Sequence, residues 1–504
     1  SKITRAISEQ IGKQEESKIV IRTCMNNTLS SNDPCMAFDN ESIKILSNTH
    51  RGLLTSGLYT DVLPALAKSW YVEDDNITWV FNLRRGAKFH NGREITAENV
   101  KCSFERIVSP ELKSPNAWFL SPIEGADSYQ NGNTGDVSGI KVLDKYKLSI
   151  KLSKPDSGFL LNLAQPCCSI IDTDDAKSGC ITGCGPYRLT KDSNGEYTLE
   201  AFPDYYGGQP YADSIEIKYN ESDAVGGFNE GKYDFVILSN NNGVQNLENS
   251  NLKTMDVLMT SYAGFNLKSG SIFAKNKDIR KAVNHAVNKK RIIDEVQRGM
   301  AVESKGVFPI GMMDNKHLKG FEYNPQLARE LLKKSGYTSQ SNKLAILGWE
   351  NDTGIKTNDE KVVDYIIEDL KAVGIECRIV KVPAKGYLSA ENIKNCDMFI
   401  SDWIADTGDP GNYLEPLFTP GIYTNFCCYE NSEVTDMMAQ AKRIANPEKR
   451  VEIYNSIQDI IVSDVPWLFL YHPKTAYVSK QNIDGLRLNP LGRVRYEDII
   501  VTKK

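Results

Sequence analysis

The chain has 504 residues, and 60 Lys and Arg against 65 Asp and Glu give a formal charge of −5. That length holds two or three domain-sized units with large cores. The two signs of charge are interspersed with no basic block or RNA-type motif, which excludes nucleic acid as the main partner. No apolar run approaches the ~20 residues of a membrane span.

Eleven cysteines are spread along the chain: Cys24, Cys35, Cys102, Cys167, Cys168, Cys180, Cys184, Cys377, Cys396, Cys427 and Cys428. An odd number leaves at least one unpaired unless it binds a metal or another chain. Paired C-x-x-C knuckles of a structural zinc site are missing. The adjacent pairs Cys167–Cys168 and Cys427–Cys428 would strain badly if each closed on itself. Three readings stay open: one or two disulfides, mostly buried free thiols, or a metal or other thiol ligand.

Taken in order, the chain starts at Ser1 without a Met or a signal peptide and reads as mature or trimmed. Residues 1–17 are polar, a tether or a frayed helix. Lys18 to Thr23 reads as an opening strand and Cys24 to Pro34 as a loop. Trp70-Tyr71-Val72, an acidic turn at Glu73 to Asn76, and a second strand then form a predicted hairpin. In that strand Ile77, Trp79, Phe81 and Leu83 alternate with polar or outward positions, the period of a half-buried strand. Asn91-Gly92 makes a tight turn. Thr96 is placed to cap a helix with Glu98 in its first turn and Val100, Phe104 and Ile107 on its inner face.

Lys147 to Leu152 is a further strand, Gly185-Pro186 a turn, residues 239–251 an Asn- and Ser-rich loop, and Tyr262 to Asn266 a strand crossing into a second lobe. Ile279, Ala282, Val283, Ala286, Val287, Ile293 and Val296 share one face of a predicted helix. Asn324 and Pro325 start the next helix and Gly336 ends it. A helix carrying Val362, Val363, Ile366, Ile367, Leu370 and Val373 stops at Gly374, and a strand follows. Alternating helices and strands imply an α/β lobe. Asp397 to Pro410 is a short apolar strand running into a loop with Asp402, Asp406, Asp409 and Trp403. Loops beyond strand ends are where open α/β lobes bind ligands.

Several of these stretches fall in the order of a known family. The acidic turn, W-x-F-x-L-R at Trp79 to Arg84, K-F-H-N-G at Lys88 to Gly92, T-A-E-N-V at Thr96 to Val100 and S-F-E-R at Ser103 to Arg106 resemble the signature of the family 5 extracellular solute-binding proteins. These are the peptide- and nickel-type receptors of ABC importers. Gly183 to Leu189 with its G-P-Y, the helix around Arg280, Ala282 and Ala286, the Asp397 to Pro410 loop, and Asn446 to His472 are similar in turn. The resemblance implies an α/β, two-lobe periplasmic-binding-protein-like fold (class II, cluster C type) with an extra subdomain and a hinged cleft. Lobe 1 would be residues 18–265, including a subdomain at about 50–165, lobe 2 residues 266–479, and 480–504 a return to lobe 1.

It also implies a monomeric extracytoplasmic receptor, either periplasmic or a cell-surface lipoprotein of a Gram-positive bacterium. Such a receptor closes on short peptides and delivers them to ABC permease subunits. The membrane is met only through a lipid anchor or the permease, and neither cofactor nor catalysis is called for. In peptide-binding members W-x-x-D presents its aspartate to the peptide α-ammonium, which maps onto Asp406 with Trp403, Ala405 and Ser401 nearby. By the same resemblance Thr23, Cys24 and Met25 line the cleft, and Cys184 stands near it where a small hydroxyl residue is usual. His90 belongs to scaffold, and Asn288 stands where an aspartate is usual. Arg22, Lys381 and Lys385 are candidates for the ligand's carboxylate end. Two alternatives remain: a receptor for nickel, a metal chelate or haem, and a cysteine peptidase. The five histidines, His50, His90, His285, His317 and His472, all lie outside residues 400–430.

Overall fold

The opening strand Val20–Cys24 pairs in parallel with Ser214–Lys218, which continues antiparallel through Glu196–Ala201 to Tyr187–Ser193. In this computed structural model residues 17–238, 243–247 and 251–502 are described. The expected tether, up to residue 16, and residues 239–242 and 248–250 of the expected loop lie outside them. The inward positions Ile21, Tyr197, Leu199, Ile215 and Ile217 alternate with exposed ones, the pattern that fixes one face of a sheet on a core. Ile483, Leu486, Leu488, Val494, Tyr496 and Ile499 complete the same core, so the chain's last segment docks on its first sheet. Asn48 pins it, donating from Nδ2 to Val494 O at 2.9 Å and accepting from Tyr496 N at 2.8 Å.

The signature hairpin forms a second four-stranded sheet in the order Ala67–Val72, Thr78–Leu83, Lys147–Lys151, Ile140–Asp144. Asp75 closes its turn by accepting from Ile77 N and Thr78 N, with Asn76 at a φ of 58°. The helix Ala97–Ile107 starts at Thr96, whose N–H donates to the Asn99 side chain at 2.8 Å. Val100, Phe104 and Ile107 are buried under it. His90 is scaffold: its Nε2 lies 3.0 Å from Gly185 O and its ring packs edge-on against Phe202. Burial lowers its pKa to about 4.

The largest sheet has eight strands. Met259–Phe265, expected at the end of the first lobe, is hydrogen-bonded into this sheet between Met398–Ile404 and Trp467–Ser479. Leu344–Trp349 and Cys377–Val382 extend it in parallel, and helices such as Asn358–Ala372 cover it, as α/β packing requires. The helix expected over residues 279–296 is two helices, Lys277–Ala286 and Lys289–Glu295. Asn288 caps the second, its Oδ1 accepting from Arg291 N at 3.0 Å. A capping carboxamide does there what a capping aspartate would.

Trp467–Ser479 joins the two halves. Its first part pairs with Met259–Phe265, and its last part with Phe235–Leu238 and Asn251–Asp256. Phe235 in turn holds the first lobe, accepting at its carbonyl from Thr23 Oγ1 at 2.8 Å. This pair of crossing connections is the hinge geometry of a two-lobe protein. At a second place the lobes touch directly: Ser157 N and Oγ donate to Lys442 O at 3.1 and 3.0 Å. No helix among the described residues is long and apolar enough to cross a membrane.

Candidate ligand-binding site between the lobes

A chamber of about 590 Å3 lies where the two lobes face each other. From lobe 2 it receives the end of the Met398–Ile404 strand and the turn after it: Trp403, Ile404, Ala405 and Asp406. The strand is buried at Met398 to Ser401 and emerges at Asp402, so sheet pairing delivers the loop to the cleft. Trp403 Nε1 donates to Tyr413 O at 3.1 Å, which fixes the indole. The helix Pro410–Phe418 begins directly beyond. Its Asn412 lines the chamber, and the Oδ1 of that residue is buried without a partner among the described residues. Buried acceptors of this kind are uncommon, and this one is closed off from the chamber itself.

Lobe 1 supplies the opposite wall. Phe38, Trp118 and Phe119 make it aromatic, with the Trp118 and Phe119 rings stacked at 3.7 Å. Phe38 is 71% and Trp118 41% exposed, so apolar surface is held open to the cavity. Arg493, from the C-terminal return, stands on this side with Gln165. Asp406 is open to the chamber yet enclosed by the walls. Loss of bulk water raises its carboxyl pKa, and the charge of Arg493 acts in the opposite direction.

Ile404, Ala405 and Leu491 also line a neighbouring chamber of about 400 Å3. Asp402, Asp359, Glu41, Lys44 and Lys474 line that space. Asp402 emerges from the sheet but is enclosed by the walls of this chamber, and the loss of bulk water raises its pKa to about 6; the like charge of Asp359 adds to the rise, and a hydrogen bond from Ser261 Oγ opposes it. An acid whose pKa is higher folded than unfolded binds more protons in the folded state. Its contribution to stability therefore falls as pH rises from the unfolded value, ~3.9, to about 6 and is lowest above that. Asp402→Asn should gain stability over the parent as pH rises through this window, read as the difference in urea midpoints. A difference that stays constant with pH would refute the assignment.

The remaining expected residues are placed as follows. Trp403, Ala405 and Asp406 line the main chamber together. Ser401 is 8% exposed and lies in the sheet behind it, its Oγ on Asp402 O at 3.2 Å. Thr23, Cys24 and Met25 line a separate recess of about 30 Å3, which shares Glu41 and Lys44 with the acidic chamber. Cys184 is corrected: it is 1% exposed in the core of lobe 1, with Sγ near Arg51 O and Ile170 O. The reason is the close approach of the flanking chain. A Cβ on Gly183 would sit 2.4 Å from Thr49 O, and one on Gly185 2.5 Å from Thr49 C. Arg22, Lys381 and Lys385 line neither chamber, and Arg22 pairs with Glu216. Sequence reasoning missed Arg493, Asn412 and the Trp118–Phe119 wall. Of these only the aromatic pair inside a Ser- and Pro-flanked loop offered a local signal.

All eleven cysteines are free, which corrects the disulfide reading. Cys35, Cys167, Cys168, Cys184, Cys396 and Cys427 are buried, and Cys180 is exposed. Burial pushes the Cys184 and Cys24 thiols up to about 12, far from the reactive thiolate form. A thiol reagent at neutral pH should label Cys180 first in the native protein, and all eleven after denaturation without reductant. Fewer labels in the denatured sample would show a disulfide. Among the described residues no group of three or more His, Cys, Asp or Glu is placed to hold a metal ion.

Two α/β lobes, crossing strands and a chamber between them define a binding protein of the periplasmic-binding-protein class. The family model for bacterial extracellular solute-binding proteins, family 5 (middle), matches residues 61–425, and the chain belongs to that family. Its members are substrate-binding receptors. The glutathione-binding protein GsiB of Shigella flexneri is 27% identical over 489 residues, 92% of this chain and 91% of the relative. The Helicobacter pylori periplasmic binding protein DppA, solved with peptide STSA, superposes with a TM-score of 0.74 at 25% identity, covering 99% of this chain and 100% of that one. NikA of Staphylococcus aureus, solved with Ni(L-His)2, gives 0.71 at 24% identity, covering 96% and 100%. The shared fold therefore serves ligands of more than one chemistry, and the chamber walls must decide between them.

Proposed function

We propose that this protein is the extracytoplasmic receptor of an ABC importer for short peptides, enclosing them between its lobes and presenting the closed form to membrane permease subunits. The observation that carries the peptide reading is the Asp406 carboxylate, open to the chamber at the end of a lobe 2 strand. A carboxylate in such a place holds an ammonium through a charge-assisted hydrogen bond. The Phe38, Trp118 and Phe119 wall suits apolar side chains. A chamber of about 590 Å3 is within the range of small-ligand pockets and leaves room for water around side chains of different size. Attachment to the cell surface by a lipid anchor, and action as a monomer, are part of the same reading.

The test is native mass spectrometry of the purified protein, followed by denaturation and mass analysis of what is released. A ladder of masses at amino-acid spacings is the expected result. A single mass with a metal isotope pattern would overturn the peptide reading in favour of a metal chelate.

A further inference from the structure

Resting on the peptide reading and extending it, we propose that Arg493 receives the terminal carboxylate of the ligand. The chamber would then close on both charged ends of a short peptide, Asp406 from one lobe and Arg493 from the other. Arg493 is presented by a rigid loop. The Asn489 side chain accepts from Leu491 N at 3.0 Å and Arg493 N at 3.1 Å, and Gly492 N donates to Asn489 O at 2.8 Å. Gly492 takes a φ of 76°, where a side chain would be strained. One edge of the guanidinium is fixed as well. Its Nη2 donates at 2.7 Å to Oε1 of Gln165, a residue only 3% exposed and itself anchored on Leu161 O at 3.0 Å.

No ion pair among the described residues engages this guanidinium. A guanidinium has five N–H donors in a planar fork, one of which goes to Gln165, and Arg493 lines the main chamber. Withdrawal from water lowers its pKa to about 10, with the nearby Cys167 and Asp406 acting against the shift. A desolvated cation with no carboxylate beside it is costly until an anion arrives, and the fork matches a carboxylate through two parallel bonds. Two of the arginines nearby are already paired, Arg51 with Glu497 at 2.5 Å and Arg495 with Glu497 at 3.2 Å and Asp498 at 3.4 Å. A recess of about 50 Å3 next to Arg493 is lined by Arg51, Arg487 and Arg495 against Asp498. Asp406 and Arg493 line one chamber of about 590 Å3 and form no ion pair with each other. An extended residue spans at most ~3.3–3.6 Å, so a peptide touching both ends inside one chamber has few residues.

The experiment uses the whole protein and a synthetic pool of random di- to pentapeptides, each sequence present as free acid, as C-terminal amide and as the N-acetylated free acid. Retained peptides are identified by mass spectrometry. The parent should retain free acids over amides by about tenfold or more. Arg493→Gln should retain the two forms alike while still preferring free over N-acetylated peptides, and Arg493→Lys should recover part of the preference. Equal retention of acids and amides by the parent overturns the assignment, and so does an undiminished preference in Arg493→Gln. Arg493→Lys keeps the charge, so it supplies the comparison where Arg493→Gln fails to fold: a parent-like preference in the Lys variant, which has no planar fork, would overturn the two-bond reading. Retention of neither form by the parent refutes the peptide reading itself, and this inference falls with it.

Discussion

Asp406→Ala should weaken the binding of a short peptide with a free amino terminus by roughly tenfold to a hundredfold, the equivalent of a charge-assisted hydrogen bond worth ~1.5–3 kcal/mol. N-acetylation of the peptide should cost the parent protein a similar factor, because it removes the partner charge. Applied together the two changes should cost little more than either alone, since both delete one contact. The pH dependence has a definite sign. Asp406 must be ionised to hold an ammonium, and burial raises its pKa, so affinity should begin to fall at a higher pH than for an ordinary surface aspartate. Calorimetry of free and acetylated forms of one peptide against both proteins completes the cycle. Equal binding of the acetylated and free peptide by the parent would remove Asp406 from the amine role.

Elements set by short-range chemistry were legible in the sequence. Phe81 and Leu83 of Thr78–Leu83 lie on the core as the period of two predicts, although Val80, expected to face outward, is buried too, and Thr96 announces the helix it begins. The break at Val287 and Asn288 was hidden because the apolar face continues through it: Ala286, Val287, Ile292 and Ile293 are all buried. The capping signal of Asn288 was present, but a continuous stripe outweighed it. The site divided in the same way. Asp406 could be found because a strand, a loop and a resemblance converge on it. Arg493 could not, since the chamber wall is assembled from segments near residues 40, 118, 166, 405 and 492, which meet only through the fold. Cys184 misled because proximity in sequence to a glycine turn says nothing about which side of the turn faces the core. The side is decided by the close approach of Gly183 and Gly185 to Thr49 and His50.

Arg450→Met should destabilise lobe 2 by ~3–5 kcal/mol, the usual cost of leaving one member of a buried pair without its partner. Arg450 Nη2 lies 2.7 Å from Asp409 Oδ1, with the side chains 13% and 4% exposed. Its Nε donates to Ala441 O at 3.2 Å, and its guanidinium lies 5.4 Å from the centre of the Tyr454 ring. Asp409 uses its other oxygen to cap the helix Pro410–Phe418, accepting from Asn412 N at 2.9 Å. One carboxylate thus ties the loop that lines the chamber to the long helix Pro447–Asp464 and starts the helix that carries Asn412. Asp409→Asn keeps a capping oxygen and removes the charge, so the double variant Asp409→Asn/Arg450→Met should lose less than the sum of the single losses. Urea midpoints of the four proteins give the coupling. Because Asp406 lies three residues before Asp409, peptide affinity should fall in Arg450→Met and partly return in the double variant. An unchanged urea midpoint in Arg450→Met would show that the pair does not hold the loop.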